Sequence, residues 1–271
     1  MGNVNYQLHK RREALRQLEK LNNNSSHLLI IHYSCESFYD IEEGRTPRVT
    51  SIAIRSMNNF QIKSFSIHKV AEINGINISK VDNHYDELEK EMLTEYFKFV
   101  KQYSQYEWLH WNMRDINYGF EAIEHRFRVL GGSPESIDDI RKHDMARLIM
   151  DIYGPNYIGH PRMEQLVDKN NISKKGFLNG EEEAKAFKDK DFVKLHQSTL
   201  RKVEILDTIL DRTLNNSLKT DSSIREIYGL SPQGIFNLVR DNWLFHIIYS
   251  IFMLILGAAI GVLVSGSVNG K

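Results

Sequence analysis

The sequence predicts an α/β domain followed by one transmembrane helix, and three observations support this interpretation. An apolar run of strand length at 27–33 precedes two alternating segments at 48–56 and 60–68, which are rich in β-branched residues. Helical patterns then dominate the chain from 85 to 214. A run of 22 residues at 243–264 carries no formal charge when its one histidine is neutral. The first two patterns are typical of a layered α/β fold rather than a helical bundle.

The composition is that of an ordinary globular chain. It has 271 residues, with 35 basic against 35 acidic side chains and 41% hydrophobic residues. The negative mean hydropathy argues against a polytopic membrane protein. Zero net charge argues against a general polyanion binder, although it permits a local basic patch. The single cysteine, Cys35, cannot form an internal disulfide and indicates a reducing compartment.

The N-terminal part predicts one helix and a three-stranded unit. Leucines recur at helical spacing among basic residues over 5–21, and an Asn/Ser run at 22–26 ends this amphipathic helix. The first strand is mostly apolar, so we expect it at the centre of the sheet. The strands at 48–56 and 60–68 are expected to form a hairpin, because the intervening 57–59 (MNN) supplies a turn.

The C-terminal part predicts further helices and one more strand. Residues 85–103 predict a long helix, and 106–111 (YEWLHW) predicts a short strand. The remaining helices are predicted at 118–130, 145–153, 162–167, 181–187 and 192–214. The predicted division of the chain is a charged helix with a linker (1–26), an α/β domain (27–215), a juxtamembrane segment (216–242), a transmembrane helix (243–264) and a short tail (265–271).

The uncharged C-terminal run predicts a membrane anchor. As a helix it would be about 33 Å long, enough for a bilayer core of roughly 30 Å. Trp243 lies where an interfacial aromatic residue is expected; a buried core helix is the alternative. The N-terminus lacks the apolar region of a secretory signal. The expectation is therefore a tail-anchored, single-pass membrane protein with a large cytoplasmic N-terminal domain.

Small residues at intervals of four lie within this run. Gly257, Gly261 and Ser265 would stack on one helix face, where two backbones could approach closely. The pattern predicts a homo-oligomer that associates through this helix. The alternative is that glycine is simply common in membrane helices.

Three segments carry polar residues at the ends of predicted strands or within the last long helix. They read YSCESF at 33–38, HWNMRDINYGF at 110–120 and LHQSTLRK at 195–202. With the order of elements over roughly 27–214, they resemble the ribonuclease H-like fold of DEDD-type 3′–5′ exonucleases. That family has Asp-x-Glu after the first strand, then Asn before a second Asp, then His or Tyr before a last Asp. The resemblance implies a mixed sheet flanked by helices.

The first two motifs depart from the family pattern. Ser34 stands where the first aspartate is expected, whereas Glu36 is retained. Asp115 is one residue short of the usual spacing of the second motif, and a looser register puts Asn117 there. If the resemblance is only a generic α/β pattern, Glu36 is a surface carboxylate at a strand end and Asp115 is a helix N-cap.

The third motif carries a cation. His196 fits the pattern, but Arg201 stands where the last aspartate is expected, and Lys202 follows it. The family's chemistry uses two metal ions held by carboxylates. A fixed cation at this position would repel a metal, and could replace it by pairing with Glu36 or Asp115. We therefore expect Glu36, Asp115 and His196 to be vestigial site residues, without a metal or other cofactor.

The expected function is ligand binding by an inactive exonuclease-like domain at a membrane. The ligand is a nucleic acid, a nucleotide or a protein, and the architecture suggests a sensor or effector of microbial defence. The alternative is a membrane-tethered, Mg²⁺-dependent 3′–5′ exonuclease with a rearranged site. A plain scaffold that places a partner at the membrane is a third reading.

Other chemistry finds little support in the sequence. The eleven histidines are scattered, and there is no HxxxH, CxxC or GxSxG pattern. Basic clusters at 10–12, 174–175 and 201–202, with aromatic residues at 103–111, could stack a single-stranded nucleotide. Core aromatics and solvated lysines explain these residues as well. Three glutamates at 181–183 suit the positive end of a helix dipole.

Overall fold

A computed structural model describes the chain at residues 2–36, 46–115, 117–229, 231–241 and 243–268. Within these ranges, side chains are described except at 2–6, 241, 243, 245–246 and 261–268. The described residues form five strands: β1 Leu28–Cys35, β2 Val49–Ser56, β3 Ile62–Ser66, β4 Glu107–His110 and β5 Lys142–Asp144. They also form eleven α-helices: α1 Gly2–Asn23, α2 Ile67–Ile73, α3 Tyr85–Gln102, α4 Phe120–Val129, α5 Met145–Tyr153, α6 Arg162–Lys169, α7 Gly180–Lys188, α8 Phe192–Leu214, α9 Ile224–Tyr228, α10 Pro232–Asp241 and α11 Trp243–Val268.

The strands form one mixed sheet in the order β3-β2-β1-β4-β5. β1 pairs antiparallel with β2, which pairs antiparallel with β3. On its other side β1 pairs in parallel with β4, which pairs in parallel with β5. The predicted α/β class, the hairpin of β2 and β3 and the central first strand are thereby confirmed. β1 is apolar because helices cover both of its faces.

The two faces of the sheet carry separate hydrophobic cores. Successive strand residues point to opposite faces, so Ile30 packs with α1, α5 and α8, whereas Ile31 packs with α3 and α4. On the face that α1, α5 and α8 cover, Leu18, Ile149 and Leu206 are fully buried. The domain is therefore a three-layer sandwich, with the carboxyl ends of β1, β4 and β5 at one edge.

Helix α1 belongs to this core, and one of its basic residues is buried. Arg11 donates hydrogen bonds to the carbonyl of Ile152 in α5 (3.0 Å) and to the hydroxyl of Tyr228 in α9 (2.9 Å). Its guanidinium also lies 4.9 Å from the centre of the Tyr228 ring. The basic cluster at 10–12 is thus partly structural, because Arg11 joins three helices.

Several short elements differ from the prediction. The segment 60–68 is a strand only as far as Ser66, and α2 begins at Ile67. Strand β5 was not predicted, because its three residues are too few to show a pattern of period two. By contrast, the predicted helices 145–153 and 192–214 are confirmed with the same bounds in α5 and α8.

The C-terminal helix α11 leads to a correction. Its residues 247–260 are exposed. Within the described ranges, no helix is both long and apolar enough to cross a membrane. This finding corrects the prediction of a transmembrane helix at 243–264. It also corrects the fold class that included this helix and the expected tail-anchored, single-pass localisation with a cytoplasmic domain.

Candidate functional site

A cleft of about 650 Å³ opens at the carboxyl end of β1, the strand at the centre of the sheet. His32, Ser34 and Glu36 alternate along the chain, so they share the face of the sheet that α8 covers. Helix α7 forms the opposite wall of the cleft, with Glu183 and other residues from 180 to 189. The volume is within the range of small-molecule sites.

A lysine–glutamate pair lies at the base of this cleft. Nζ of Lys202 in α8 is 2.7 Å from Oε1 of Glu183 in α7. The same oxygen accepts hydrogen bonds from the hydroxyls of Ser34 (3.1 Å) and Ser198 (2.9 Å). The Lys202 side chain is only 8% exposed and that of Glu183 15%. One carboxylate oxygen thus holds a strand and two helices together through a buried cation and two hydroxyls.

Glu36 is a second buried carboxylate at this edge. Its Oε1 accepts a hydrogen bond from the backbone N–H of Arg48 at 2.7 Å, and its residue is 6% exposed. Because Glu36 and Glu183 both line the cleft, its polar part is rich in hydrogen-bond acceptors. The reading of Glu36 as a surface carboxylate is therefore wrong.

His32 adds a buried polar atom without a described partner. The residue is 6% exposed, and its Nδ1 has no hydrogen-bond partner among the described residues. Burial, and then the charge of Lys202, lowers the pKa of His32 well below its usual value. The imidazole is therefore neutral.

Aromatic rings and a thiol complete the lining. Tyr118 stacks on Tyr33 with ring centres 4.7 Å apart, and the backbone N–H of Gly119 donates to the Tyr33 hydroxyl at 3.0 Å. Burial raises the pKa of both phenols and of the Cys35 thiol. Cys35 is consequently a neutral thiol in this structure, which is unsuited to nucleophilic catalysis.

Of the residues expected at the site, the structure brings Ser34 and Glu36 into the cleft but leaves Asp115 and Asn117 outside its lining. Asp115 is exposed, and its Oδ1 accepts a hydrogen bond from the N–H of Asn117 at 2.8 Å. It does not cap α4 either, because the N-cap of that helix is Gly119. Asp115 and Asn117 therefore form part of a local turn and do not contribute to the cleft.

The third motif is displaced by one residue. Arg201 points away from the cleft, with Nη1 2.7 Å from Glu204 and Nη2 donating to the carbonyl of Ser173 at 2.8 Å. Successive helical residues are turned by about 100°. Lys202 therefore takes the position in front of β1 that was assigned to Arg201, and its partner is Glu183 rather than Glu36 or Asp115.

His196 is also buried on α8 but lies outside the cleft lining. Its ring nitrogens lie 2.7 Å from the hydroxyl of Ser51 in β2 and 3.3 Å from that of Ser64 in β3. Burial, with contributions from Lys69 and His68, lowers the pKa of His196 to about 3. This neutral histidine joins α8 to the outer hairpin.

Sequence reasoning missed Glu183 and Lys202 as partners. The glutamates 181–183 were assigned only to the start of a helix, which explains their occurrence but not the inward direction of Glu183. The available signal was the basic pair at 201–202, one residue of which had to face the sheet. Its partner, Glu183, lies in a separate helix, and no sequence pattern indicated that this glutamate faces the sheet.

The residues of the cleft do not fit a divalent metal. A two-metal site requires several carboxylates, whereas here an ammonium group already contacts Glu183. Among the described residues, no three His, Cys, Asp or Glu side chains are grouped so that they could hold a metal ion.

The proposed association face of α11 is only partly described. A Cβ on Gly257 would meet nothing within 4 Å, so that position is open. The side chains at 261 and 265 lie outside the described part. Self-association through Gly257, Gly261 and Ser265 stays a prediction.

The chain matches no protein-family model, and comparisons with curated proteins and with solved structures also found no match.

Proposed function

We propose that this chain contains an exonuclease-like domain in which a lysine–glutamate pair takes the place of the metal ions, and that its cleft binds a ligand without cleaving it. The observation that carries the proposal is the contact of 2.7 Å between Lys202 and Glu183 at the carboxyl end of β1. The antiparallel hairpin beside β1 and the parallel strands β4 and β5 support the resemblance to the ribonuclease H-like fold.

Electrostatics argue against metal-dependent cleavage at this position. A divalent ion about 4 Å from the Lys202 ammonium would be repelled by roughly 8 kcal/mol at an effective dielectric constant of 20. Ser34 supplies a neutral hydroxyl where the family's carboxylate would offset that repulsion. Oxygen Oε1 of the Glu183 carboxylate is already occupied by the ammonium and two hydroxyls.

The lining of the cleft fits a nucleotide or the terminal nucleotide of a single strand. Tyr118 offers an aromatic surface beside the base of the cleft, and Glu36 can accept hydrogen bonds from sugar hydroxyls. The neutral His32 also lines the cleft. At the rim, the exposed Lys185 and Lys188 can face a phosphate.

The absence of cleavage is tested with the full chain. Labelled single-stranded DNA and RNA are incubated with Mg²⁺ or Mn²⁺, and we expect both to remain intact. Degradation that is lost in Glu36→Gln would overturn the proposal and favour the exonuclease alternative.

Binding is tested by filling the cleft. Ala184 lies on α7 in the cleft lining and is half-buried, so Ala184→Trp would occupy the space of a ligand. We expect the affinity for AMP, measured by calorimetry, to fall at least tenfold. Ser104→Trp, at a half-buried position in the turn after α3, is the matched control and should bind as the parent chain does. Equal affinities of all three proteins would exclude the cleft as the nucleotide site.

A further inference from the structure

We propose that a second groove binds the phosphate of a nucleotide or of a single strand. This arginine groove has a volume of about 360 Å³ and is lined by Trp111, Asn112, Arg114, Arg147, His160 and Arg162, together with apolar residues. None of the residues that line it is acidic. The inference does not rest on the ligand proposed for the cleft at β1, because the two sites share no lining residue.

Three segments of the chain meet at this groove. Trp111 and Arg114 follow β4, Arg147 lies in the first turn of α5 directly after β5, and Arg162 begins α6. Since β4 and β5 are parallel, their carboxyl ends bring the first two segments to the same edge of the sheet. The guanidinium groups are thus carried by elements that the core holds in place.

The positive charge of the groove is only partly compensated. Arg114 pairs with Asp144, with Nε 3.1 Å from Oδ2. Arg147 is exposed, and neither it nor Arg162 forms an ion pair with a described carboxylate. Arg162 donates one hydrogen bond, to the carbonyl of Pro155 at 3.2 Å.

Two nearby carboxylates have other partners. Asp151 of α5 lies 3.6 Å from Lys10, and Glu164 of α6 lies 3.3 Å from Lys174. Two guanidinium groups therefore remain uncompensated by close acidic partners in the described part of the chain.

Guanidinium groups and an indole together favour a nucleotide over a simple anion. Arginine binds phosphate oxygens in a bidentate manner, and its charge persists at all physiological pH values. Trp111 is half-buried and lines the same groove, so it offers a flat surface on which a base can stack. The shared chemistry of the ligand is a phosphate ester attached to a base.

The test uses the full chain and three probes. Inorganic phosphate, AMP and a fluorescent ten-nucleotide oligothymidylate are titrated at several salt concentrations. We expect Arg147→Gln and Arg162→Gln each to weaken binding of the oligonucleotide at least fivefold. Each should also reduce the slope of log affinity against log salt by about 1.

Matched controls separate this groove from general charge effects and from the cleft. Arg128→Gln changes an arginine on α4, at the opposite face of the sheet, and should bind as the parent chain does. Ala184→Trp fills the cleft and should remove only the part of AMP binding that belongs to the cleft. Binding that persists in Ala184→Trp and is weakened in Arg147→Gln belongs to the groove, so failure of one site does not imply failure of the other. If Arg162→Gln fails to fold, the exposed Arg147 decides the result.

The pattern across the probes assigns the source of the phosphate. Comparable binding of AMP and of the oligonucleotide supports a free nucleotide, whereas binding of the oligonucleotide alone supports a strand. The proposal is overturned if none of the three probes binds, or if Arg147→Gln binds them as strongly as the parent chain.

Discussion

Nζ of Lys202 lies 2.7 Å from Oε1 of Glu183, and the pair is nearly enclosed at the carboxyl end of the central strand. Two hydroxyl groups, from Ser34 and Ser198, donate to the same carboxylate oxygen. The chain therefore supplies its own cation at an edge where the exonuclease resemblance implies metal ions. This contact accounts for both the stability and the expected inactivity of the site.

Breaking this pair is expected to cost stability. Lys202→Met leaves the Glu183 carboxylate buried without its counter-charge, which should lower the free energy of unfolding by about 3 kcal/mol. The double variant Glu183→Gln/Lys202→Met should lose less, because neither charge remains. Urea unfolding measures both. Lys98→Met breaks the exposed Lys98–Glu95 pair and should change stability by less than about 1 kcal/mol.

Divalent metals are expected to leave the stability of the chain unchanged. Ligands that bind only the folded state raise the unfolding free energy, by about 2.7 kcal/mol at a hundred times the dissociation constant. The midpoint temperature of thermal unfolding should therefore be the same in EDTA, in Mg²⁺ and in Mn²⁺. The double variant Ser34→Asp/Lys202→Asp should unfold at a lower temperature than the parent chain. Mn²⁺ should raise this temperature, because carboxylates replace the hydroxyl and the ammonium as possible metal ligands. A rise in the parent chain would contradict this view.

Arg11 is expected to be essential for docking of α1. Arg11→Met removes hydrogen bonds to the carbonyl of Ile152 and the hydroxyl of Tyr228. Because these acceptors are buried, we expect a loss of about 2–3 kcal/mol in unfolding free energy. Arg16→Met, at an exposed position on the same helix, should change it by less than about 0.5 kcal/mol. Similar losses in the two variants would show that the buried contacts are unimportant.

His196 is expected to make the fold sensitive to acid. Burial lowers the pKa of His196 to about 3, whereas the unfolded chain has an ordinary histidine near 6.5. Between these values the unfolded state binds the extra proton, so stability present above pH 6.5 declines as the pH falls towards 3. The slope for one such group is at most about 1.4 kcal/mol per pH unit.

The comparison of His196→Gln with the parent chain measures this effect. Between pH 7 and pH 5, the parent should lose about 2 kcal/mol more than the variant, as determined by urea unfolding. His9→Gln, which changes an exposed histidine paired with Glu13, should retain the parent's pH dependence. Parallel pH profiles for all three proteins would rule out His196 as the source.

Gly119 is expected to tolerate no side chain. It has φ of +156°, and a Cβ there would lie 2.6 Å from the carbonyl carbon and oxygen of Met113. Gly119→Ala should therefore destabilise the chain by about 2 kcal/mol and weaken AMP binding in the cleft, because it displaces Tyr118. Gly159→Ala, where a Cβ meets nothing within 4 Å, is the control and should change neither measurement.

The sequence was sufficient for much of the secondary structure and for part of the site. The helices 145–153 and 192–214 follow from periodicity that is repeated over several turns, which is a local property. Ser34 and Glu36 lie together in the cleft because they share one face at the end of an apolar strand, and their role in a site stays a prediction. Asp115 does not lie there, because the turn that holds it is shaped by its own hydrogen bonds to neighbouring residues.

The sequence by itself determined the α/β class, the hairpin and the central first strand, since these depend on runs of apolar and alternating residues. Only the tertiary structure decided that Lys202, not Arg201, faces β1, because a difference of one residue on a helix is a rotation of about 100°. The tertiary structure also decided that Glu183 is the partner of Lys202. That pairing joins α7 to α8 across the end of a strand, and no local pattern in the chain encodes such a meeting.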